Sequence, residues 1–463
     1  MLLLADWVLP VSSLPFAEGG VRVEGTAITA VGPVVELREL FPGDEVRSYP
    51  GCVLMPGLVN VHTHLEYSAF RGFAPPSAFG TWMLRLLLAR RRVGPADYEV
   101  AALWGAYECA RCGVTTIADC AFTGEVVARA ARAAGLRARV YQEVFGLDDA
   151  RLPETMRSLE VRLERIRQEG GSLVEPGVSP HAPYTVSARL YREAARFARR
   201  AGLFLATHLA ESPAEVELLL KGRGAIARAY RLAGLWSGRS WRPPGLTPVR
   251  YLNETGALGP RTLAVHAVQV EQDEIRLLAD SGAAVAHCPR SNARLGCGTA
   301  PVAEMLRQGV PVGLGTDSLA SNDDLDLFSE MRAARRASAG RLTAQDVIRA
   351  ATLGGAIALG WGRLVGSLEP GKQADIIVVR LPGHGEDFSC ARAEEQPVVE
   401  RLVEHATAAD VVSTMVAGRA LDGVGSASAE LGPRLTAIRA KLSSPPGVRW
   451  GLLRHGRWPR HPD

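Results

Sequence analysis

Lysine is almost missing from this sequence of 463 residues: Lys221, Lys372 and Lys441 are the only three, and arginine supplies the rest of the 53 basic residues. We ascribe that bias to genome composition rather than to chemistry. Excess charge of one sign is missing as well. The 53 basic residues face 49 acidic ones, and a net charge of +4 is too slight to argue for a nucleic-acid partner. Low-complexity tracts are absent and 47% of the residues are hydrophobic, which excludes a disordered or fibrous chain. No run of about 18 uninterrupted apolar residues occurs, so no membrane span is predicted. The apolar start MLLLADWVLPV has no basic flank and is broken by Asp6 and Pro10, unlike a signal peptide. Seven cysteines, an odd number, give no disulfide framework. Cys109 and Cys112, three apart on a predicted helix, read as packing residues, and a reducing compartment follows. A soluble, cytoplasmic protein is expected.

The length allows one large catalytic domain with an appendage, or two to three ordinary domains. Residues 1–55 read as short strands with Gly/Pro turns (LLLADWVLP, GGVRVEGTAITAVGP). Over residues 56–365 eight strand-like runs alternate with helical patterns: GLVNVHTH, VTTIADC, RARVYQEV, EPGVSPHAP, LFLATHLAE, TLAVHAVQV, AAVAHCPRSN and PVGLGTDS. Such alternation predicts parallel strands joined by right-handed crossovers, and eight units in about 300 residues fit a (β/α)8 barrel. An open doubly wound sheet is disfavoured, since no GxGxxG opens a helix after the first strand. Residues 366–423 return to strand-like alternation (GSLEPGKQADIIVVRL, VVSTMVAGRAL), so both chain ends are expected to build one small β-sandwich-like domain. The tail, 424–463, holds one helical pattern over Ala429–Leu442 and an Arg/Trp-rich end without a legible role.

Polar residues recur at the C-terminal ends of the barrel strands, where the walls of a barrel converge on its active face. His62 and His64 follow the first strand, His181 the fourth, His208 and Glu211 the fifth, His266 the sixth, His287 the seventh and Asp317 the eighth. The strand spacing of His62 and His64 points both imidazoles to one side of the chain, where they can chelate one ion; neutral imidazole suits Zn²⁺ or Fe²⁺. His208 or Asp317 alone reads as structural. Four N/O donors at strands one, five and eight read as a metal site.

With HTH after strand one, THLAE at strand five, VHA at strand six and GTDS at strand eight, the chain resembles the amidohydrolase superfamily. The resemblance runs from MPGLVNVHTH to GSLEPGKQADIIVV. The string HCPRSNARLGCGTAPVAEMLRQGVPVGLGTDSLASNDD narrows it to the branch that deaminates aminopurines and related cyclic amidines and dechlorinates triazines. It implies His62, His64, His208 and Asp317 as ligands of one divalent ion, Zn²⁺ before Fe²⁺. Binuclear relatives bridge two metals with a carbamylated lysine at strand four; here that strand ends SPHAPYT, and no lysine falls in any barrel-strand candidate.

From the groups present, Glu211 is placed to protonate the ring nitrogen of an attacked cyclic amidine, with Asp317 and His266 sharing the water proton. The alternative for Glu211 is a charge favouring a helix N-terminus before Ser212 and Pro213. The resemblance implies that His181 contacts substrate, and Ser318, beside Asp317, is grouped with it. Glu66, in HTHLEYS, reads as an acid, a substrate-binding group or a salt-bridge partner of Arg71; His287 reads equally as a packing residue. His384, His405, His455 and His461 are expected in solvent.

S-adenosylhomocysteine deaminases of the branch usually have an acidic helix after strand one, whose carboxylate takes the ribose hydroxyls. FGTWMLRLLLARRR lacks that acid. With HTHLE, Ser68 and WRPPGLTPVRYLNETGAL, the sequence is closer to enzymes deaminating 6-amino-6-deoxyfutalosine in menaquinone biosynthesis. A benzoate on that substrate would suit an arginine, with Arg85, Arg90, Arg91, Arg223 and Arg290 as candidates. Deamination of S-adenosylhomocysteine, methylthioadenosine or adenosine, hydrolysis of a cyclic amide or triazine, and a non-catalytic scaffold are the alternatives. A small nucleoside partner and a homodimer are expected, with no nucleic acid or membrane.

Overall fold

In a computed structural model, residues 1–232, 242–382, 397–421 and 424–443 are described. Trp241, His384, His455, His461 and the Arg/Trp-rich end lie outside them.

The eight apolar runs form the strands of one parallel sheet: β5 (Leu58–Thr63), β6 (Val114–Ala121), β7 (Arg137–Val144), β8 (Val174–Pro180), β9 (Leu205–Leu209), β10 (Thr262–His266), β11 (Ala284–His287) and β12 (Val312–Leu314). They are hydrogen-bonded in chain order, and all are buried on both faces over most of their length, as parallel strands under helices must be. Alternation sorts the side chains: Val59, Val61, Ala118, Tyr141, Ala206 and Val265 fill the interior, while Leu58, Ile117, Val140, Leu209 and Ala264 belong to the apolar layer packed under the helices.

The barrel closes between its first and last strands. Thr63 bridges Asp317 in parallel, and Asp317 N–H donates to the His62 carbonyl at 2.9 Å. Asn60 ties the seam, accepting from Thr316 N–H at 3.0 Å and donating to the Thr316 hydroxyl at 2.8 Å. Gly315 permits the approach, because a Cβ there would sit 2.8 Å from His62 Cβ. The seam therefore runs through two of the expected metal ligands.

Both chain ends build a second, seven-stranded mixed sheet in the order β15-β14-β13-β4-β1-β2-β3. It comprises β1 (Leu2–Val8), β2 (Phe16–Glu24), β3 (Ala27–Pro33), β4 (Val46–Pro56), β13 (Ile376–Arg380), β14 (Val411–Val416) and β15 (Arg419–Ala420). β4 pairs in parallel with β1 and antiparallel with β13, which joins the two ends of the chain. A buried bidentate pair fastens this sheet to the barrel: Arg137 donates from Nε and Nη2 to Asp375, both at 3.1 Å. Beside it, Arg139 lies over the rings of Phe204 (3.9 Å) and Trp361 (4.2 Å) and bonds Glu175 and the Leu359 carbonyl.

The tail pattern becomes the helix Val424–Ser443. Leu431, Leu435, Ile438 and Leu442 pack on Tyr67, Phe70 and Val100, so the helix covers the segment Leu65–Phe70 that follows β5. Lys441 pairs with Asp97 at 2.8 Å, and Arg92 donates to the Leu442 carbonyl at 2.7 Å. Six described cysteines are buried and unpaired, and no described helix is long and apolar enough to cross a membrane.

Candidate active site

The strand ends bring His62, His64, His208 and Asp317 together. His62 Nε2 lies 3.4 Å and His64 Nε2 3.7 Å from Asp317 Oδ1, and the Nε2 atoms of His64 and His208 are 3.2 Å apart. All four residues are at least nine-tenths buried. Both ring nitrogens of His62 and Nδ1 of His64 lack a hydrogen-bond partner, a costly arrangement for buried polar atoms unless a ligand satisfies them. Burial lowers the pKa of His64 well below the usual value and that of His208 to about 4, so their lone pairs are free to coordinate. Burial works against an ionised Asp317, yet the close approach of His62, with the charges of His266 and His64, holds it well below the carboxylate range. Orphaned imidazoles around a carboxylate are the donor set a divalent transition metal takes. None of the three lysines is at a barrel-strand end: Lys221 and Lys441 lie on helices, and Lys372 lies in a bend.

The surrounding residues fix the donors. His208 Nδ1 is 3.0 Å from the His181 carbonyl, which sets Nδ1 as the protonated nitrogen and leaves Nε2 facing inward. Asp317 accepts from the hydroxyls of Ser291 (2.5 Å) and Ser321 (2.8 Å) and from Ser318 N–H (2.7 Å). Ser318 thus supports the carboxylate through its backbone, while its hydroxyl faces Ser321 at 3.2 Å. Ala210, His266, Ala267 and Asp317 adopt φ of 52°, 75°, 45° and 59°, left-handed values unusual for residues with a Cβ. This strain sits where three strands end at the site.

Glu211 and His266 stand beside the four donors. His266 Nε2 is 3.6 Å from Glu211 Oε1, and its Nδ1 is held by Asn292 Oδ1 at 2.9 Å. Burial, with Asp317 and Glu215 nearby, pushes the Glu211 carboxyl well above its ordinary range. Glu215 accepts from the backbone N–H groups of Ala210 (3.0 Å) and Glu211 (2.8 Å) and so clamps the turn that carries Glu211. His181 is anchored through Nδ1 to Thr185 Oγ1 at 2.9 Å, leaving Nε2 4.0 Å from Glu143.

One of the readings open for Glu66 is overturned, and His287 keeps the packing reading. Glu66 forms no ion pair with Arg71, which pairs with Glu108 instead. The Glu66 carboxylate accepts from Phe122 N–H and Thr123 N–H, both at 2.9 Å, and from the Thr123 hydroxyl at 2.5 Å. Both oxygens are engaged in joining the segment after β5 to the end of β6, which gives no support to a substrate contact. His287 is buried outside the donor groups, with its pKa lowered by burial to about 4. Among the arginines, Arg290 pairs with Asp324 (2.5 Å) and Arg223 with Glu217 (3.2 Å); Arg85 and Arg91 are exposed. His405 is exposed, as expected.

Glu143, Asp119, Glu215, Ser291 and Asn292 were not anticipated. Asp119 and Glu143 lie near the ends of β6 and β7, the two strands where no strand-end candidate was picked. The rule that singled out the other six strands would have found them.

The chain belongs to the amidohydrolase family, whose sequence profile matches residues 53–421. It is 34% identical over 423 residues to the 5-methylthioadenosine/S-adenosylhomocysteine deaminase of Syntrophobacter fumaroxidans, covering 87% of this chain and 88% of the relative. It is 35% identical to the 5′-deoxyadenosine deaminase of Methanothermobacter thermautotrophicus, covering 78% and 82%. Its fold matches an adenosine deaminase from Xanthomonas campestris crystallised with bound zinc (TM-score 0.80, 28% identity, covering 95% and 98%). It also matches Helicobacter pylori aminofutalosine deaminase (TM-score 0.76, covering 90% and 99%), where 20% identity speaks for the fold alone.

Proposed function

We propose that this protein hydrolytically deaminates the adenine ring of a nucleoside modified at the 5′ position, with one divalent ion held by His62, His64, His208 and Asp317. The observation that carries the reading is the convergence of these four donors beside the buried Glu211–His266 pair. When bound, the ion supplies water acidified to a pKa of about 7, a nucleophile at neutral pH.

The chain's own residues then govern the protons. Glu211, whose burial favours the protonated form, gives its proton to the purine nitrogen next to the attacked carbon. His266 Nε2, neutral because burial lowers its pKa, lies within reach of Glu211 Oε1 and steadies the attacking oxygen. Asp317, ionised, accepts one water proton and passes it to the departing amine, and the second water proton leaves the new hydroxyl to restore Glu211, so water and a C–NH2 bond become a ring carbonyl and ammonia. His181 Nε2 orients the purine.

The relatives at 34–35% identity favour 5′-deoxy- and 5′-thio-adenosines. A second reading, 6-amino-6-deoxyfutalosine, is favoured by the helix Phe79–Ala89, which carries no acidic residue. Ammonia release from methylthioadenosine, S-adenosylhomocysteine, 5′-deoxyadenosine, adenosine, aminodeoxyfutalosine and guanine, measured in parallel, decides between them. A kcat/KM at least about 100-fold higher for aminodeoxyfutalosine than for adenosine selects the second reading. Ammonia from none of the adenine compounds overturns the proposal.

A further inference from the structure

One buried acid at the mouth has no part in the proton steps above. Glu143, next to last in β7, is 5% exposed, and its Oε1 has no hydrogen-bond partner. Its carboxylate oxygen lies within 4.8 Å of ring nitrogens of His64 and His208, so it faces the same space as the metal donors. His181 Nε2, the atom assigned to the purine, is 4.0 Å from Oε1.

Arg90 reaches this wall from the end of the helix Phe79–Ala89. Its guanidinium carbon stands 4.7 Å from the centre of the Phe122 ring and 5.5 Å from that of Tyr67. Phe122 follows Ala121, whose register partner across β6 and β7 is Gln142, the neighbour of Glu143, so Arg90 and Glu143 stand on the same wall. No ion pair joins Arg90 to a carboxylate among the described residues. A buried acid and a half-buried guanidinium on one wall, not paired with each other, can both be met by a group that donates to one and accepts from the other. A hydroxyl does both. A carboxylate would meet the charge of Glu143, and an ammonium that of Arg90.

We propose that Glu143 and Arg90 bind the ribose hydroxyls of the nucleoside, one hydroxyl donating to Glu143 Oε1 and a neighbouring oxygen accepting from the Arg90 guanidinium. The inference rests on the substrate being an adenine nucleoside. It moves the carboxylate for the ribose from the helix after the first barrel strand, which lacks an acid, to the end of β7. Because the hydroxyls are common to every nucleoside considered, the pair sets affinity for the sugar and leaves the choice at the 5′ position to other residues.

The experiment compares adenosine with 9-methyladenine, which keeps the reacting ring and has no sugar. Glu143→Gln and Arg90→Met should each lower kcat/KM for adenosine about 10–100-fold more than for 9-methyladenine, chiefly through KM. Equal losses on both compounds, or none, would overturn the assignment. Calorimetric binding of inosine and 9-methylhypoxanthine repeats the comparison without turnover, with thermal unfolding of each variant as the check on folding. If the wild-type protein releases ammonia from no adenine compound, the proposed function falls, and inosine binding that is unchanged in both variants is what would sink the Glu143–Arg90 pair.

Discussion

The two ends of the barrel treat buried charge in opposite ways. At the floor, the charges meet partners: Arg137 is matched by a bidentate carboxylate, and Arg139 is sandwiched by two aromatic rings and bonded on both terminal nitrogens, with its Nε alone left without a partner. At the mouth, His62, His64, Asp119 and Glu143 each keep at least one buried polar atom without a partner. Pairing at the floor ties the barrel to the second sheet and contributes to stability. Unpaired groups at the mouth cost stability, the arrangement a site awaiting a ligand would have. The same sequence thus separates holding the fold together from binding.

The comparison can be broken by experiment. The largest effect is expected from replacing His62 and His64 with Ala: elemental analysis should fall from about one divalent ion per chain to none, and activity should vanish with it. A stoichiometry near two in the wild type would contradict the single-ion site. Glu211→Gln should keep the metal and the melting temperature while turnover drops about 10²–10⁴-fold, since an amide cannot deliver the ring proton. Near-normal kcat would return Glu211 to a helix-end charge.

Arg137→Met tests the other end. Stranding Asp375 in the interior should cost about 3–5 kcal/mol by denaturant unfolding, with little change in kcat at low temperature. An enzyme as stable as the wild type but slower would reverse the division of labour. The last test reads a slope with pH rather than a loss and belongs to Glu330, buried behind the Asp317 loop, where burial raises its pKa to about 8 and Asn322 bonds it at 2.7 Å. A raised carboxyl pKa means that the folded state holds its proton more tightly than the unfolded one. Its contribution is complete below about pH 4.5 and is lost as pH rises toward 8. Glu330→Gln should therefore flatten the fall in melting temperature between pH 5 and pH 8; an unchanged slope would assign that fall to other groups.

The eight strands and the convergence of His62, His64, His208 and Asp317 were legible because the contrast is local: apolar runs of strand length, most of them ending in an imidazole or acid that has no business in a packed interior. Of the readings open for Glu66, the ion pair with Arg71 gives way for a physical reason. The acid's partners are backbone N–H groups of Phe122 and Thr123, and backbone donors carry no signature in the sequence. Glu143 was missed because alternating charged and apolar residues in RARVYQEV look like a half-exposed strand. Only closure of the barrel buries both faces. The last helix could be read as a helix but not placed, since its apolar stripe does not say which surface it meets.

The joining of the chain ends in one sheet sets a clock on biosynthesis. β4 ends at Pro56, and its antiparallel partner β13 begins only at Ile376. At about 5–20 residues per second, a ribosome needs roughly 16–64 s to make the intervening chain. Throughout that interval the edge formed by Cys52, Val53, Leu54 and Met55 is apolar and without the neighbour it has in the finished protein. Such an edge is a template for pairing with another nascent chain. Polysomes translating this message should therefore be most vulnerable to co-aggregation, and most dependent on chaperones, before the codon for Ile376 is passed and much less so after Val416.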